Sequence, residues 1–250
     1  MEKITLTENR IFQGSLILVN SKYSFRSEPE ERLIPVRESV PHILLQRCAV
    51  VLLEQLMYKI DGWSSIVPVS GWRARSEQQQ IWDDSLAENG LPFTQKYVAV
   101  PGHSEHQTGL ALDLGLKSDH IDFICPDFPD TGICRKFRQT AAKYGFILRY
   151  PAGKESVTGI GHEPWHFRYV GTPHAGIMSE HDLTLEEYTD FIRDYPIHSR
   201  PYMIKNGSQE AAVSFIPCTA AHMTVEITGE YPYTVSGNNV DGFILTEFLR

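Results

Sequence analysis

Residues Gly109 to Leu116 read Gly-Leu-Ala-Leu-Asp-Leu-Gly-Leu, and this alternation constrains the fold more than any other stretch of the chain. Successive side chains of an extended strand point to opposite faces. Leu110, Leu112, Leu114 and Leu116 therefore cover one side, while Gly109, Ala111, Asp113 and Gly115 line the other. One face must meet a hydrophobic layer, and the other carries a single carboxylate among residues too small to crowd it. A charge in that setting needs a partner.

The hydrophobic layer is supplied by helices. Leu45, Cys48, Leu52, Leu56 and Ile60 recur every three or four residues, which predicts an amphipathic helix over about His42 to Lys59, ended by Asp61-Gly62. A short strand at Ile66 to Val69 runs into Ser70-Gly71-Trp72-Arg73. Ser76, with Gln79 three residues on, predicts the capping box of a second helix that stops at Asn89-Gly90. A third helix is expected from about Thr131 to Tyr144, closed by Gly145, followed by strands at Phe146 to Arg149 and Glu163 to Val170. Upstream, a strand is expected at Ser15 to Val19 and a mixed-charge loop from Lys22 to Ser39. Downstream, Thr184 and Glu187 predict a capping box for a short helix to Asp194. Hairpins follow: Met203-Ile204 with Val213 to Ile216 around Asn206-Gly207, and Met223 to Ile227 with Phe243 to Leu245 flanking Gly229 and Ser236 to Asn239. The class is α+β, with helices packed on a small antiparallel sheet in residues 1–175 and a C-terminal α+β appendage in residues 176–250.

Charge narrows the partners. The 250 residues carry 23 Lys and Arg against 31 Asp and Glu, a formal charge of −8, and no basic cluster stands out beyond Arg135, Lys136, Arg138 and Lys143. Nucleic acid is not an expected partner. No apolar run approaches the roughly 20 residues needed to span a bilayer, so no membrane anchor is expected. Met1 to Thr7 lacks the pattern of a secretory signal, and the expected location is the cytoplasm. Cys48, Cys125, Cys134 and Cys218 show no CxxC spacing, which argues for packed thiols rather than a metal knuckle or redox pair.

Among ten histidines, His106 and His166 stand out with Asp113. Two imidazoles and a carboxylate with a fourth position open are the ligand set of a catalytic rather than a structural zinc. Glu163 precedes His166 by three residues across Pro164, where a carboxylate can serve as general base without ligating. The spacing alone is weak: the tight His-Glu-x-x-His helical pattern is absent.

Three elements in order carry a resemblance. Ser104-Glu-His106-Gln-Thr-Gly109-Leu-Ala111-Leu-Asp113 resembles the SxHxxGxAxD motif of the zinc D-alanyl-D-alanine peptidases of the VanY, VanX and VanXY type. Glu163-Pro-Trp-His166 resembles their Glu-x-Trp-His element, and Ser70-Gly-Trp-Arg73 their upstream SGYR element, with Trp72 where tyrosine is common. The likeness spans about residues 65 to 170 and, lacking an anchor, is nearest the cytoplasmic VanXY type. It implies a LAS-type peptidase core and one zinc ion per chain, held by His106, Asp113 and His166. Glu163 would be the general base and then acid, and Arg73 would donate to the developing oxyanion. Ser104 and Gln78 would contact substrate, with Gln79 competing for the place of Gln78. The implied substrates are D-Ala-D-Ala and peptidoglycan precursor peptides, and the implied consequence is resistance to vancomycin-type glycopeptides.

Other readings stay open at this point. A peptidoglycan L-Ala-D-Glu endopeptidase or a non-catalytic zinc-dependent binding module would use a similar site. Arg73 or Arg75 also has Glu77 nearby as a simple ion-pair partner, and His103 forms an HxxH with His106. The loop from Asp119 to Asp130 is a candidate lid. Oligomeric state is not legible.

Overall fold

The computed structural model describes residues 1–29, 32–206 and 209–249. Among them the strands are, in chain order, β1 (Glu2–Thr7), β2 (Leu33–Pro35), β3 (Leu44–Gln46), β4 (Ile66–Ser70), β5 (Ala111–Leu116), β6 (Phe146–Leu148), β7 (His166–Tyr169), β8 (Tyr202–Asn206), β9 (Gln209–Pro217), β10 (His222–Ile227), β11 (Tyr233–Gly237) and β12 (Gly242–Phe248). The α-helices are α1 (Arg47–Ile60), α2 (Arg75–Asn89), α3 (Leu91–Tyr97), α4 (Gly132–Ala141), α5 (Glu155–Thr158), α6 (His174–Glu180) and α7 (Leu185–Phe191). Two compact units form: Val19–Thr184, and Met1–Leu18 with Leu185–Arg250. The units part at 18 and 184, where the sequence suggested a single division at 175.

In the unit Val19–Thr184 the sheet order is β4-β5-β7-β6, with every neighbouring pair antiparallel. Leu112 pairs with Phe167, and Phe167 with Leu148. This row belongs to the face that α1 and α4 cover, burying Ala49, Leu53, Leu56 and Met57 from one helix and Cys134, Phe137 and Ala141 from the other. Phe128, Phe137 and Phe167 meet edge to face with centroids 4.7 to 5.8 Å apart, and such pairs add about 0.5–1.5 kcal/mol each beyond area burial. The leucine face of β5 lies in this core, which leaves Asp113 on the other face.

Several elements differ from the sequence reading. The first helix starts at Arg47, because Leu44–Gln46 is drawn into strand β3 by pairing with β2, inside the stretch read as a loop. Glu30 and Glu31 of that loop lie outside the described residues. Helix α2 begins at Arg75 with Ala74 at the cap position and no side-chain cap, so Ser76 is already helical. The third helix ends at Ala141 and continues as a 3₁₀ turn to Tyr144 before Gly145 (φ 82°) stops it. Strand β7 starts at His166, leaving Glu163 in the preceding turn. None of the four cysteines forms a disulfide.

The second unit holds the sheet β11-β12-β9-β8 and the pair β1-β10. The expected hairpin of Met203-Ile204 with Val213 to Ile216 is present as β8 and β9, although Gly207 of its turn lies outside the described residues. Met223 to Ile227 pairs with β1, from Glu2↔Ile227 to Thr7↔His222, rather than with Phe243 to Leu245. Ile4, Leu6, Val225, Ile227, Phe243 and Leu245 share this unit's core. Ser15 to Val19 forms no strand; instead Leu16 N–H donates to Ser236 Oγ (3.0 Å) and Leu18 N–H to the Asn238 carbonyl (3.0 Å). Among the described residues, no helix is long and apolar enough to cross a membrane.

Candidate metal centre and catalytic pocket

Strand register builds the site. Ser70 of β4 pairs with Asp113 of β5, and Asp113 pairs with His166 of β7. Directly opposed residues share a sheet face with Cβ atoms about 4.5–5.5 Å apart, so these three form one row. The β4–β5 register shifts between Pro68 and Ser70, an irregularity of the kind that re-aims side chains beside active sites. His106 arrives from a 3₁₀ turn, Glu105–Thr108, that leads into β5 through Gly109. Gly109 sits at φ +70°, and a Cβ there would lie 2.6 Å from Leu33 Cδ2, so both conformation and space call for glycine.

His106, Asp113 and His166 are all buried, each offering one donor atom within 4.8 Å of the others. The Gly71 carbonyl accepts from His106 Nδ1 at 2.7 Å, which fixes the tautomer and turns Nε2 toward Asp113 Oδ2, 3.1 Å away. On its other side, Asp113 Oδ1 lies 2.9 Å from His166 Nδ1. Burial, then the nearby Arg73, lowers the His106 pKa and keeps that ring neutral. A neutral imidazole nitrogen facing a carboxylate oxygen sets two lone pairs against each other unless a cation lies between them. His166 shows the same demand: burial alone would lower its pKa, but the charge and hydrogen bond of Asp113 and the contact with Glu105 raise it to about 9. Asp113, despite burial, is held well below the usual carboxylate range by the two histidines. This donor set fits a divalent metal, with the backbone carbonyl orienting one ligand.

The pocket over the row is lined by these three residues with Arg73, Gln78, Ser104, Glu163, Phe123, Tyr150 and Trp165. Glu163 Oε2 lies 3.7 Å from His166 Nδ1. Burial pushes the Glu163 carboxyl up to about 8, with the charge of Asp113 adding and His166, Arg73 and Arg149 opposing. Arg73 is buried, donating from Nη1 to Gln78 Oε1 (2.8 Å) and from Nη2 to Ser70 Oγ (2.8 Å), with Nη2 3.9 Å from Asp113 Oδ2. Asp113, not Glu77, is thus its ion-pair partner in the structure.

Gln78 is 1% exposed and already engaged at both ends, since its Nε2 donates to the Ala99 carbonyl at 2.7 Å. It braces Arg73. Gln79 is exposed and donates to Asp83 instead. Ser104 is buried in the pocket wall. His103 pairs through Nδ1 with the Asn20 carbonyl (2.7 Å) and does not line the pocket. From the loop expected to act as a lid, Phe123 and Ile124 reach the pocket, and the Phe123 ring lies 5.7 Å from the Arg73 guanidinium.

Sequence reasoning passed over Glu105, which it read only as a motif spacer. Its carboxylate is fully buried with Arg149 and Arg168, at 2.8 and 2.9 Å. Two arginines beside apolar residues, one directly after β6 and one two residues after His166, were the available signal.

Comparison with known proteins gives the family. The VanY family, D-alanyl-D-alanine carboxypeptidase, matches residues 43–172. The chain is 42% identical over 181 residues to the bifunctional D-Ala-D-Ala dipeptidase and D-Ala-D-Ala carboxypeptidase VanXYC of Enterococcus gallinarum, covering 72% of this chain and 95% of that protein. Among solved structures, the vancomycin resistance D,D-dipeptidase VanXYg in complex with a D-Ala-D-Ala phosphinate analog superposes with a TM-score of 0.96 at 46% identity, covering 99% of this chain and 98% of that one. A VanY D,D-pentapeptidase variant from a VanB-type resistance cassette, in complex with Zn(II), gives a TM-score of 0.59 at 32% identity over 70% of this chain and 98% of that one. The chain belongs to the VanY D-alanyl-D-alanine carboxypeptidase family, a family of hydrolases. Its likeness to VanXYg extends beyond the family core to nearly the whole length.

Proposed function

We propose that this protein is a cytoplasmic zinc D,D-peptidase that hydrolyses D-Ala-D-Ala and removes the C-terminal D-Ala of peptidoglycan precursor stems, giving resistance to vancomycin-type glycopeptides. The observation that carries the reading is the register row Ser70, Asp113 and His166, with His106, Glu163 and Arg73 gathered on one pocket. The named activities of the relatives favour it over an L-Ala-D-Glu endopeptidase or a zinc-dependent binding module. We assign the chemistry to the unit Val19–Thr184, which contains every residue of the pocket.

His106 through Nε2, Asp113, and His166 through Nδ1 would hold the zinc. When bound, zinc supplies Lewis acidity, polarising an amide carbonyl and lowering the pKa of water to about 7. Glu163 has a proton affinity near neutrality, suited to taking a proton from the attacking water and returning it to the leaving amine. Arg73 stays charged beside Asp113, and its braced guanidinium faces the pocket as a donor to the carbonyl oxygen as negative charge grows there. Ser104 lies on the pocket wall as a substrate contact. Gln78 acts through Arg73.

The test is release of D-Ala from D-Ala-D-Ala and from a stem pentapeptide, before and after chelation and after zinc is restored. Release that follows the metal on both substrates supports the proposal. Absence of release from either substrate by the zinc-loaded protein overturns it.

A further inference from the structure

The Glu105 cluster lies outside the reaction just described, yet it is built more tightly than a surface ion pair needs to be. Glu105, Arg149 and Arg168 all have side chains with no exposure. Both arginines converge on one oxygen: Arg149 Nε lies 2.8 Å and Arg168 Nη1 2.9 Å from Glu105 Oε1. A carboxylate serving only as their counter-charge would offer both oxygens. Instead Glu105 Oε2 is buried with no hydrogen-bond partner, and so is His166 Nε2. These two atoms face each other across 3.8 Å.

Each part of the cluster is tied to the site by backbone. Glu105 adjoins His106 in the same 3₁₀ turn. The Arg149 N–H donates to the His166 carbonyl (3.1 Å), and Arg168 lies two residues beyond His166 on the same strand face. A movement of Glu105 would therefore be felt at both histidines.

We propose that Glu105 is a positioning residue for His166. Held by Arg149 and Arg168, its second oxygen accepts a hydrogen bond from the Nε2–H of His166 in the metal-loaded protein, fixing the ring's rotation and leaving Nδ1 bare for the metal. The inference rests on the reading of His166 as a metal ligand and deepens it: one imidazole is oriented by the Gly71 carbonyl, the other by a buried carboxylate. Groups that orient ligands in this way typically change metal affinity by 10- to 100-fold when altered.

The experiment is zinc affinity of the full chain and of its Glu105→Gln variant, measured by competition with a chromophoric chelator, with circular dichroism to verify folding. The expected result is a folded variant whose zinc affinity is 10- to 100-fold weaker. Should the variant not fold, long-range ¹H–¹⁵N spectra of histidine-labelled, zinc-loaded parent protein decide. The proposal requires a slowly exchanging, strongly downfield His166 Nε2–H with Nδ1 carrying the metal. Unchanged affinity in a folded variant, or a His166 bound through Nε2 or with Nε2–H at the shift of an unbonded imidazole, overturns it. A parent that binds no zinc at all would instead overturn the metal-site reading itself, and this inference with it.

Discussion

Arg73 offers the sharpest separation of charge from geometry in the pocket. The residue is 7% exposed, and its guanidinium forks between Gln78 Oε1 and Ser70 Oγ and sits 3.9 Å from Asp113 Oδ2. At an effective dielectric of about 20, unit charges at that separation attract by roughly 4 kcal/mol, a term that Arg73→Lys would largely keep. The fork it would lose, because one ammonium cannot span Gln78 and Ser70 while presenting a donor to the pocket. Removal of such a donor costs about 10² to 10³ in kcat, or roughly 3–4 kcal/mol. Arg73→Met should reach that range, and Arg73→Lys should lose at least about tenfold, or 1.4 kcal/mol. Met also strands Gln78 Oε1 in a buried setting, for a stability loss of about 1–3 kcal/mol. The assay is the initial rate of D-Ala release by zinc-loaded protein over a range of dipeptide concentrations, with thermal unfolding alongside. A fall in kcat with a modest change in KM is expected. Folded, zinc-loaded Arg73→Met with kcat within threefold of the parent would refute the assigned role.

Gln78→Ala should lower kcat about tenfold through Arg73, whereas exposed Gln79→Ala should leave rate and stability within about 0.5 kcal/mol of the parent; steady-state rates on both variants decide which glutamine serves the pocket. Zinc at 1,000 times its Kd should stabilise the chain by about 4 kcal/mol, read as a rise in Tm that chelation reverses and that His106→Ala abolishes. Burial holds the His174 pKa down to about 3 from 6.5. The unfolded chain therefore binds the extra proton between those values, so stability is full above about pH 6.5 and falls with acidification by on the order of 1.4 kcal/mol per pH unit. Urea unfolding between pH 6.5 and about 5.5, above the ordinary titration of carboxylates, should show this slope in the parent and a shallower one in His174→Gln.

What could be read from the sequence was local. The alternation around Asp113 and around His166 specified two strands and their outward residues, and the structure sets those residues opposite each other as a β-ladder pair. The stripe of the first helix was equally plain, though its first residues were not, because the upstream strand Leu33–Pro35 claims Leu44–Gln46. The pairing of Glu2–Thr7 with His222–Ile227 left no trace in either segment, since antiparallel register across some 220 residues depends on tertiary packing. That pairing is also why the first 18 residues join the C-terminal unit. In the pocket, the residues to which the chemistry is assigned sit in motifs at fixed spacing, and the structure gathers them on one pocket. Gln78 was ambiguous by one position because three glutamines run together, and only helix phase separates the buried one from its neighbours. Glu105 was hidden for a different reason. A glutamate in a polar turn reads as solvated until the fold brings Arg149 and Arg168 around it.

The central claim is that Glu163 transfers protons in a metal site that it does not itself form. Zinc content and D-Ala release measured on the same preparation of Glu163→Ala test it most directly. The account predicts about one zinc per chain, as in the parent, with release from D-Ala-D-Ala reduced by at least the 10²-fold expected of a lost general base. A variant that retains zinc and still releases D-Ala at the parent rate would contradict it.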